Sequence, residues 1–148
     1  MIHWYNDANE ETWVNEGLAQ LAIALNGYGS DGTEQVFVQT PDTQLTAWGD
    51  SAGESIAHYG ASFLFMSYFL ERFGEATMRQ VVANPANGAD GFNAVLTAGG
   101  QPYGFDDVFA DWVVTNYLED PTAGQGCGVI VTCRSIPLPS MLCIRIIR

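Results

Sequence analysis

The chain has 148 residues and a formal charge of −12, from 17 acidic residues against 5 arginines and no lysine. This length fits one domain or part of one, and a hydrophobic fraction of 47% is enough for a packed core. So acidic a protein lacks the basic surface that nucleic-acid binding needs, and no apolar run approaches the length of a membrane span.

Charge and cysteine usage change together near residue 120. All 17 acidic residues lie at or before Asp120, where only two arginines oppose them, so this stretch carries a charge of −15. Residues 121–148 hold no acid, three arginines and all three cysteines, without the C-x-x-C spacing of a metal site. We therefore predict one folded unit over residues 1–120 and an aberrant, poorly packed tail over residues 121–148. Out-of-frame translation is the favoured interpretation of the tail.

The first predicted element is a helix that begins near Asn9, as N-cap, and stops at Asn26-Gly27. Two stripes of side chains recur at helical spacing: Val14, Leu18, Leu21, Ala22 and Leu25 on one face, and Trp13, Glu16, Gln20 and Ile23 on another. A helix that is apolar on both sides is usually packed on both sides. We therefore expect the Glu16 carboxylate to be buried.

A buried Glu16 needs a partner. Removing an ionised carboxylate from water is costly unless a cation or strong hydrogen-bond donors meet it. Only Arg72 and Arg79 lie before the tail. A bound metal ion is therefore the simplest partner that the sequence suggests.

The remaining elements predict a mainly α fold. Residues 27–55 are punctuated by glycine, proline and aspartate, with at most a short strand over Gln35–Thr40. Apolar periodicity beyond them predicts four helices. These are Ala57–Phe73 with a stop at Gly74, Glu75–Asn84, Gly91–Ala98, and a last helix from Phe105 to Tyr117 that Asp106 caps. The first of the four is apolar almost all round, so we expect it at the centre of the core.

The segment Trp13–Ala19 contains the pattern N-E-x-x-A, filled by Asn15, Glu16 and Ala19. It resembles the helix that supplies the third zinc ligand in gluzincin metallopeptidases, above all in hyicolysin-like and related bacterial secreted peptidases. In that family an HExxH helix supplies two histidines and a general-base glutamate, and a glutamate on the next helix completes the zinc site. The resemblance implies that Glu16 is a metal ligand, that the cofactor is zinc, and that the substrate is a peptide or protein.

The chain itself contains no HExxH, since its only histidines are His3 and His58 and neither precedes a glutamate. The residues Met1–Trp4 are similar to those that follow HExxH in these peptidases. We therefore expect a fragment that begins just after that motif, with residues 1–120 forming the helical C-terminal half of a zincin-type catalytic domain. The resemblance implies an extracellular or cell-surface location, although no signal peptide is predicted because Met1 is followed by polar and acidic residues.

His58 and Tyr59 are the candidate catalytic residues. The segment Ile56–Phe63 resembles a helix start at which related peptidases place a tyrosine or histidine that donates to the oxyanion of the tetrahedral intermediate. The aminopeptidase branch places its tyrosine three residues before the glycine, and Ala57 occupies that position here. The alternative is therefore a capping histidine and a core tyrosine.

Two other functions compete with the peptidase hypothesis. The segment Gly49–Gly53 matches G-x-S-x-G around Ser51, but a serine hydrolase needs a preceding strand and a downstream aspartate and histidine, which the chain does not offer in order. A glycine-rich loop is the better interpretation. A non-catalytic helical module that binds a protein or a glycan is the second alternative, which the acidic, aromatic-rich composition permits.

We predict that the DNA upstream of the Met1 codon, translated in frame, encodes HExxH ending within a few residues of Met1. The reason is the separation between Met1–Trp4 and Glu16, which resembles that of gluzincins. Sequencing of the locus checks it. A stop codon and promoter directly before Met1, with no such motif further upstream, would count against the resemblance.

Overall fold

A computed structural model of the chain describes residues 8–49 and 52–118. These residues form five helices and no strand: α1 (Thr12–Leu25), α2 (Thr33–Gln39), α3 (Ala52–Ala83), α4 (Gly88–Ala98) and α5 (Phe105–Leu118). The prediction of a mainly α fold is therefore confirmed. None of these helices combines the length and the apolar character needed to cross a membrane. The expectations for Met1–Trp4 and for the tail concern residues outside the described ranges.

Helix α3 lies at the centre of the fold, as predicted. Its contacts with α1 and α2 are the most extensive between elements, and α4 and α5 pack against it and against each other. The ring of the fully buried Phe65 lies between 5.5 and 5.8 Å from the rings of Trp13, Phe92, Phe105 and Trp112. Full burial of a Phe side chain stabilises by about 1.5–3 kcal/mol. This aromatic cluster, to which α1, α3, α4 and α5 all contribute, therefore holds four helices together.

Helix α1 begins three residues after Asn9, so the prediction of Asn9 as its N-cap was wrong. The reason is a long-range contact made by the residues in between. The buried Glu10 carboxylate accepts hydrogen bonds from the backbone N–H groups of Glu11 and Gly88, both at 2.7 Å. Glu10 thereby joins the start of α1 to the start of α4. The same bond explains why α4 begins at Gly88 and not at the predicted Gly91.

Helix α2 occupies the segment Gln35–Thr40 in which a short strand was predicted, and that prediction was wrong. A run of β-branched and aromatic residues such as Val36, Phe37 and Val38 is typical of a strand, but only Phe37 is buried, while Val36 and Val38 are 38% and 43% exposed. The Phe37 ring stacks on Trp112 of α5 at 5.8 Å. Packing of one aromatic side chain against the core therefore outweighs the β preference of its neighbours.

Two predicted helix stops are confirmed. Helix α1 ends before Asn26-Gly27, with Gly27 at φ 82°, and α3 is interrupted at Gly74, where φ is 80° and ψ is 168°. Glycine adopts such a positive φ without steric cost. Helix α3 starts at Ala52, more than a turn earlier than predicted, and its part beyond Gly74 matches the helix predicted over Glu75–Asn84.

The start of α5 is held by residues other than the predicted cap, Asp106, so that prediction was wrong. The Phe105 N–H donates to Asn93 Oδ1 of α4 at 2.8 Å. The Gly104 N–H donates to Asp107 Oδ2 at 3.0 Å. An amide from a neighbouring helix and the second of the two aspartates therefore supply the acceptors at this helix start.

Two glycines allow close approach to α3. A Cβ on Gly17 of α1 would lie 2.8 Å from Met66 Cγ and 2.9 Å from the Ser62 carbonyl oxygen of α3. A Cβ on Gly60 of α3 would meet the backbone of Thr33 in α2, with the carbonyl carbon at 2.6 Å. Side-chain carbons do not approach other atoms this closely without a shift of one of them. Both helix pairs therefore depend on the missing side chain.

Gly60→Ala is expected to destabilise the fold by about 1–2 kcal/mol net, because overpacking against a backbone exceeds the helix preference that alanine gains over glycine. Gly99→Ala is the matched control, since the nearest atoms there lie 3.4 Å away and φ is −77°. Chemical denaturation of both variants and the parent chain measures the effect. Equal midpoints for Gly60→Ala and the parent would contradict the close approach of α2 and α3.

Candidate functional site

The prediction that Glu16 is buried was wrong, because Glu16 is only half-buried, at the boundary of the core. The buried face of α1 consists of Trp13, Val14, Gly17, Leu21 and Ala24. Within the described part of the chain, Ile23 and Leu25 are 44% and 39% exposed, so α1 is not packed on both sides. The Glu16 carboxylate therefore keeps part of its hydration, which lowers the cost of its charge.

The Tyr59 side chain of α3 lies beside the Glu16 carboxylate, whose charge acts on the phenol. Burial raises the pKa of Tyr59 above its ordinary value of 10.0, the charge and the hydrogen bond of Glu16 raise it further, and the charge of Asp31 adds to them. All of these effects favour the neutral phenol over the phenolate. Tyr59 therefore stays a hydrogen-bond donor into the alkaline range, next to Glu16.

The loop between α1 and α2 brings a second carboxylate near Tyr59. Gln20, one turn after Glu16, donates from Nε2 to Asp31 Oδ2 at 2.7 Å, and the Thr33 N–H donates to Asp31 Oδ1 at 3.2 Å. Burial acts to raise the pKa of Asp31, but hydrogen bonds from Thr33 and Gln20 outweigh it and lower the pKa. Asp31 is therefore ionised at neutral pH, and its charge acts on Tyr59.

The cationic side chains of the described residues pair elsewhere. Arg72 donates to Asp111 Oδ2 at 2.7 Å, and Arg79 pairs with Glu75 at 2.6 Å on the surface. No ion pair joins either arginine to Glu16 in residues 8–49 and 52–118. The Glu16 carboxylate therefore lies beside a neutral phenol, and no arginine of this part of the chain pairs with it.

His58 contacts a different group from its neighbour Tyr59. Its Nδ1 lies 2.7 Å from the Gln44 carbonyl oxygen. Because a carbonyl can only accept, we assign the proton to Nδ1, and the neutral ring then presents Nε2 as an acceptor. The Trp48 ring lies 5.4 Å from the His58 ring and 4.9 Å from the Tyr59 ring. The structure thus brings Glu16 and Tyr59 together and links His58 to them through Trp48. A catalytic role for His58 remains a prediction.

A cavity of about 490 Å³ opens beside His58, between the end of α2, the following loop and the start of α3. Its walls are Val36, Thr40, Thr43, Gln44, Ala47, Ala57 and His58. The Thr40 and Thr43 hydroxyls donate to the backbone carbonyl oxygens of Val36 and Thr40, at 3.0 and 2.7 Å. The volume lies within the range of about 300–1,000 Å³ that is typical of small-molecule sites.

The residues that the structure describes do not form a zinc site by themselves. No group of three His, Cys, Asp or Glu side chains that could hold a metal ion occurs in them. A zinc site in a protein needs at least three protein ligands. A zinc site that included Glu16 would therefore need ligands from outside these residues.

Comparison with models of known families, with curated proteins and with solved structures finds no match for this chain.

The sequence pointed to Glu16, Tyr59 and His58, and it placed Gln20 on the Glu16 stripe without assigning it to the site. It missed two further residues, Asp31 and Trp48. Asp31 and Trp48 lie in irregular segments, where periodicity gives no information about which side chains meet.

Glu16→Gln is expected to lower the pKa of Tyr59 toward 10.0, because it removes a negative charge and leaves a hydrogen-bond acceptor. NMR titration of ring-labelled tyrosine measures this, and Tyr59→Phe identifies the Tyr59 signal. Glu75→Gln, on the surface and paired with Arg79, is the control and should leave that titration unchanged.

The sign of the accompanying stability change follows from the raised pKa. The folded chain holds the Tyr59 proton more tightly than the unfolded chain, so this stabilisation is complete below pH 10.0 and is lost as the pH rises through the folded pKa. An identical Tyr59 titration in Glu16→Gln and the parent would show that the carboxylate does not act on the phenol.

Proposed function

We propose that this chain is the helical part of the catalytic domain of a gluzincin-type zinc metallopeptidase that acts at or outside the cell surface. In the complete enzyme Glu16 is the third zinc ligand. The two histidines and the general base come from an HExxH helix, which these 148 residues do not contain. The chain alone is therefore expected to bind zinc weakly and to cleave no peptide bonds.

The observation that carries this proposal is the proximity of Tyr59 on α3 to Glu16 of the N-E-x-x-A segment on α1. The neutral Tyr59 phenol lies beside the carboxylate, and no cationic side chain of the described residues neutralises it. Such a carboxylate keeps lone pairs for a metal ion, and a hydrogen bond that fixes the orientation of a ligand is typical of metal sites. Partial burial supports the same role, because it weakens competition from water.

Tyr59 has the properties that a donor to the oxyanion requires. When bound, zinc would activate a water molecule for attack on the scissile carbonyl. Tyr59 holds its proton at neutral pH beside Glu16. The Trp48 ring meets it edge-on at 4.9 Å and restricts its motion. A preorganised donor of this kind stabilises developing negative charge without reorganisation.

The proposal is tested in the chain extended upstream through the HExxH helix. The extended chain is expected to retain zinc through dialysis and to cleave peptides. Glu16→Ala should lose both zinc and activity. The loss of zinc affinity should exceed the roughly 10–100-fold loss that follows removal of a hydrogen bond that orients a ligand. Metal analysis beside a peptidase assay measures both.

Glu75→Ala is the matched control, an exposed glutamate whose loss should change neither quantity. Stoichiometric zinc and normal turnover in Glu16→Ala would show that Glu16 is not a ligand. An extended chain without zinc and without activity would favour the non-catalytic binding module.

Tyr59→Phe in the extended chain is expected to retain zinc and to lower kcat by about 10²–10³, the usual cost of removing one oxyanion donor. The phenyl ring keeps the contact with Trp48, so the fold should be preserved. If Tyr59→Phe instead binds less zinc but has unchanged activity per bound zinc ion, the role of Tyr59 is to orient Glu16. Unchanged zinc and unchanged rate would place Tyr59 in the core alone.

A further inference from the structure

The cavity beside His58 has apolar walls with polar groups at defined places. The side chains of Val36, Ala47 and Ala57 supply methyl groups, and none of its walls is an acidic or basic residue apart from the imidazole of His58. A cationic ligand would therefore lose hydration without meeting an opposite charge, which is unfavourable. An anionic ligand would be repelled by the net charge of −12 on the chain.

Among the polar side chains of the walls, the Gln44 amide can both donate and accept a hydrogen bond, whereas Thr40, Thr43 and His58 present acceptors. The hydroxyl protons of Thr40 and Thr43 are already donated to backbone carbonyl oxygens. His58 uses its Nδ1–H on the Gln44 carbonyl oxygen, and its Nε2 makes no hydrogen bond with the residues that the structure describes. A purely apolar ligand that covered this face would leave Nε2 desolvated and unpaired, which costs free energy. The cavity therefore favours an uncharged ligand that donates a hydrogen bond.

The volume leaves room for a donor larger than serine or threonine. A serine or threonine side chain is far smaller than about 490 Å³. A tyrosine side chain combines a large apolar ring with one hydroxyl donor at its end, which matches methyl walls with an acceptor. The cavity also lies close to the proposed catalytic residues, because the Trp48 ring contacts both His58 and Tyr59. A peptide bound at Glu16 could therefore reach the cavity with a nearby side chain.

We propose that this cavity binds a tyrosine side chain of the peptide substrate, with the phenol donating to His58 Nε2. This inference rests on the proposed peptidase function and names the side chain that the enzyme would select. It assigns His58 to substrate selection and not to chemistry at the scissile bond.

The test uses the chain as it exists and needs neither zinc nor turnover. N-acetyl-L-tyrosine amide and N-acetyl-L-phenylalanine amide differ only in the hydroxyl, and NMR of the ¹⁵N-labelled imidazoles follows their binding at His58. The tyrosine amide is expected to bind about two- to tenfold more tightly, as one net hydrogen bond allows. It should also shift the Nε2 resonance of His58 more than the phenylalanine amide does. Equal binding of the two amides, or tighter binding of N-acetyl-L-lysine amide, would overturn the proposal.

Two variants locate the binding. His58→Phe should make the two amides bind equally, followed through backbone amide signals of the cavity walls. Ala47→Leu fills the cavity from an exposed loop position and should weaken both amides, whereas Ala110→Leu, exposed on α5, should weaken neither. Undiminished binding in Ala47→Leu would show that the amides bind elsewhere.

The two proposals fail separately. If this chain binds the tyrosine amide more tightly than the phenylalanine amide but the extended chain is inactive, the tyrosine site is supported and the peptidase function is not. An active extended chain that cleaves without regard to a nearby tyrosine, and whose amides bind equally, would leave the peptidase function without the tyrosine site.

Discussion

The close approach of α1 and α2 to α3 is the constraint on which the rest of the structure depends. Gly17 follows Glu16 in the chain, and Gly60 follows Tyr59, so the residues that let the helices approach are the direct neighbours of the polar residues that meet there. A hydrogen bond tolerates only a few tenths of an ångström of extra distance before it weakens. The packing at Gly17 and Gly60 and the contact between Glu16 and Tyr59 therefore depend on the same close spacing of the helices.

A shortage of cations shapes how the fold accommodates its carboxylates. With both arginines of the described residues paired to other acids, carboxylates elsewhere are met by neutral donors. Glu10 binds backbone N–H groups, Asp31 binds an amide and a backbone N–H, and Glu34 accepts from the Ser30 hydroxyl at 2.6 Å. Neutral donors stabilise the ionised form without cancelling its charge. The acidic character of the chain is therefore preserved in the folded state.

The helices that depend on their own apolar periodicity were predictable, and the features that depend on distant residues were not. The central helix and its stop at Gly74 follow from local pattern and from the freedom of glycine at positive φ. The predicted caps Asn9 and Asp106 failed because Glu10 and Asn93 make contacts with residues far away in the chain. The predicted strand failed for a related reason, since Phe37 packs on α5.

The candidate site likewise has a part that the sequence predicted and a part that it did not. The motif around Glu16 and the helix start at Tyr59 were visible in the sequence, and the structure brings these two residues together. The predicted enclosure of Glu16 was wrong, because Ile23 on the same stripe is 44% exposed and the stripe is not a buried face along its whole length. Trp48, which links His58 to Tyr59, lies in a segment whose conformation no repeating pattern encodes.

The bond between Glu10 and the Gly88 N–H has a consequence for how the fold opens. The first N–H groups of a helix have no acceptor within that helix, so the Gly88 amide is protected by a residue 78 positions away and not by α4 itself. Fraying of α4 alone leaves this bond in place, while separation of α1 from α4 breaks it. Deuterium uptake at this single amide therefore reports the parting of two segments that are remote in sequence, on the timescale of local unfolding.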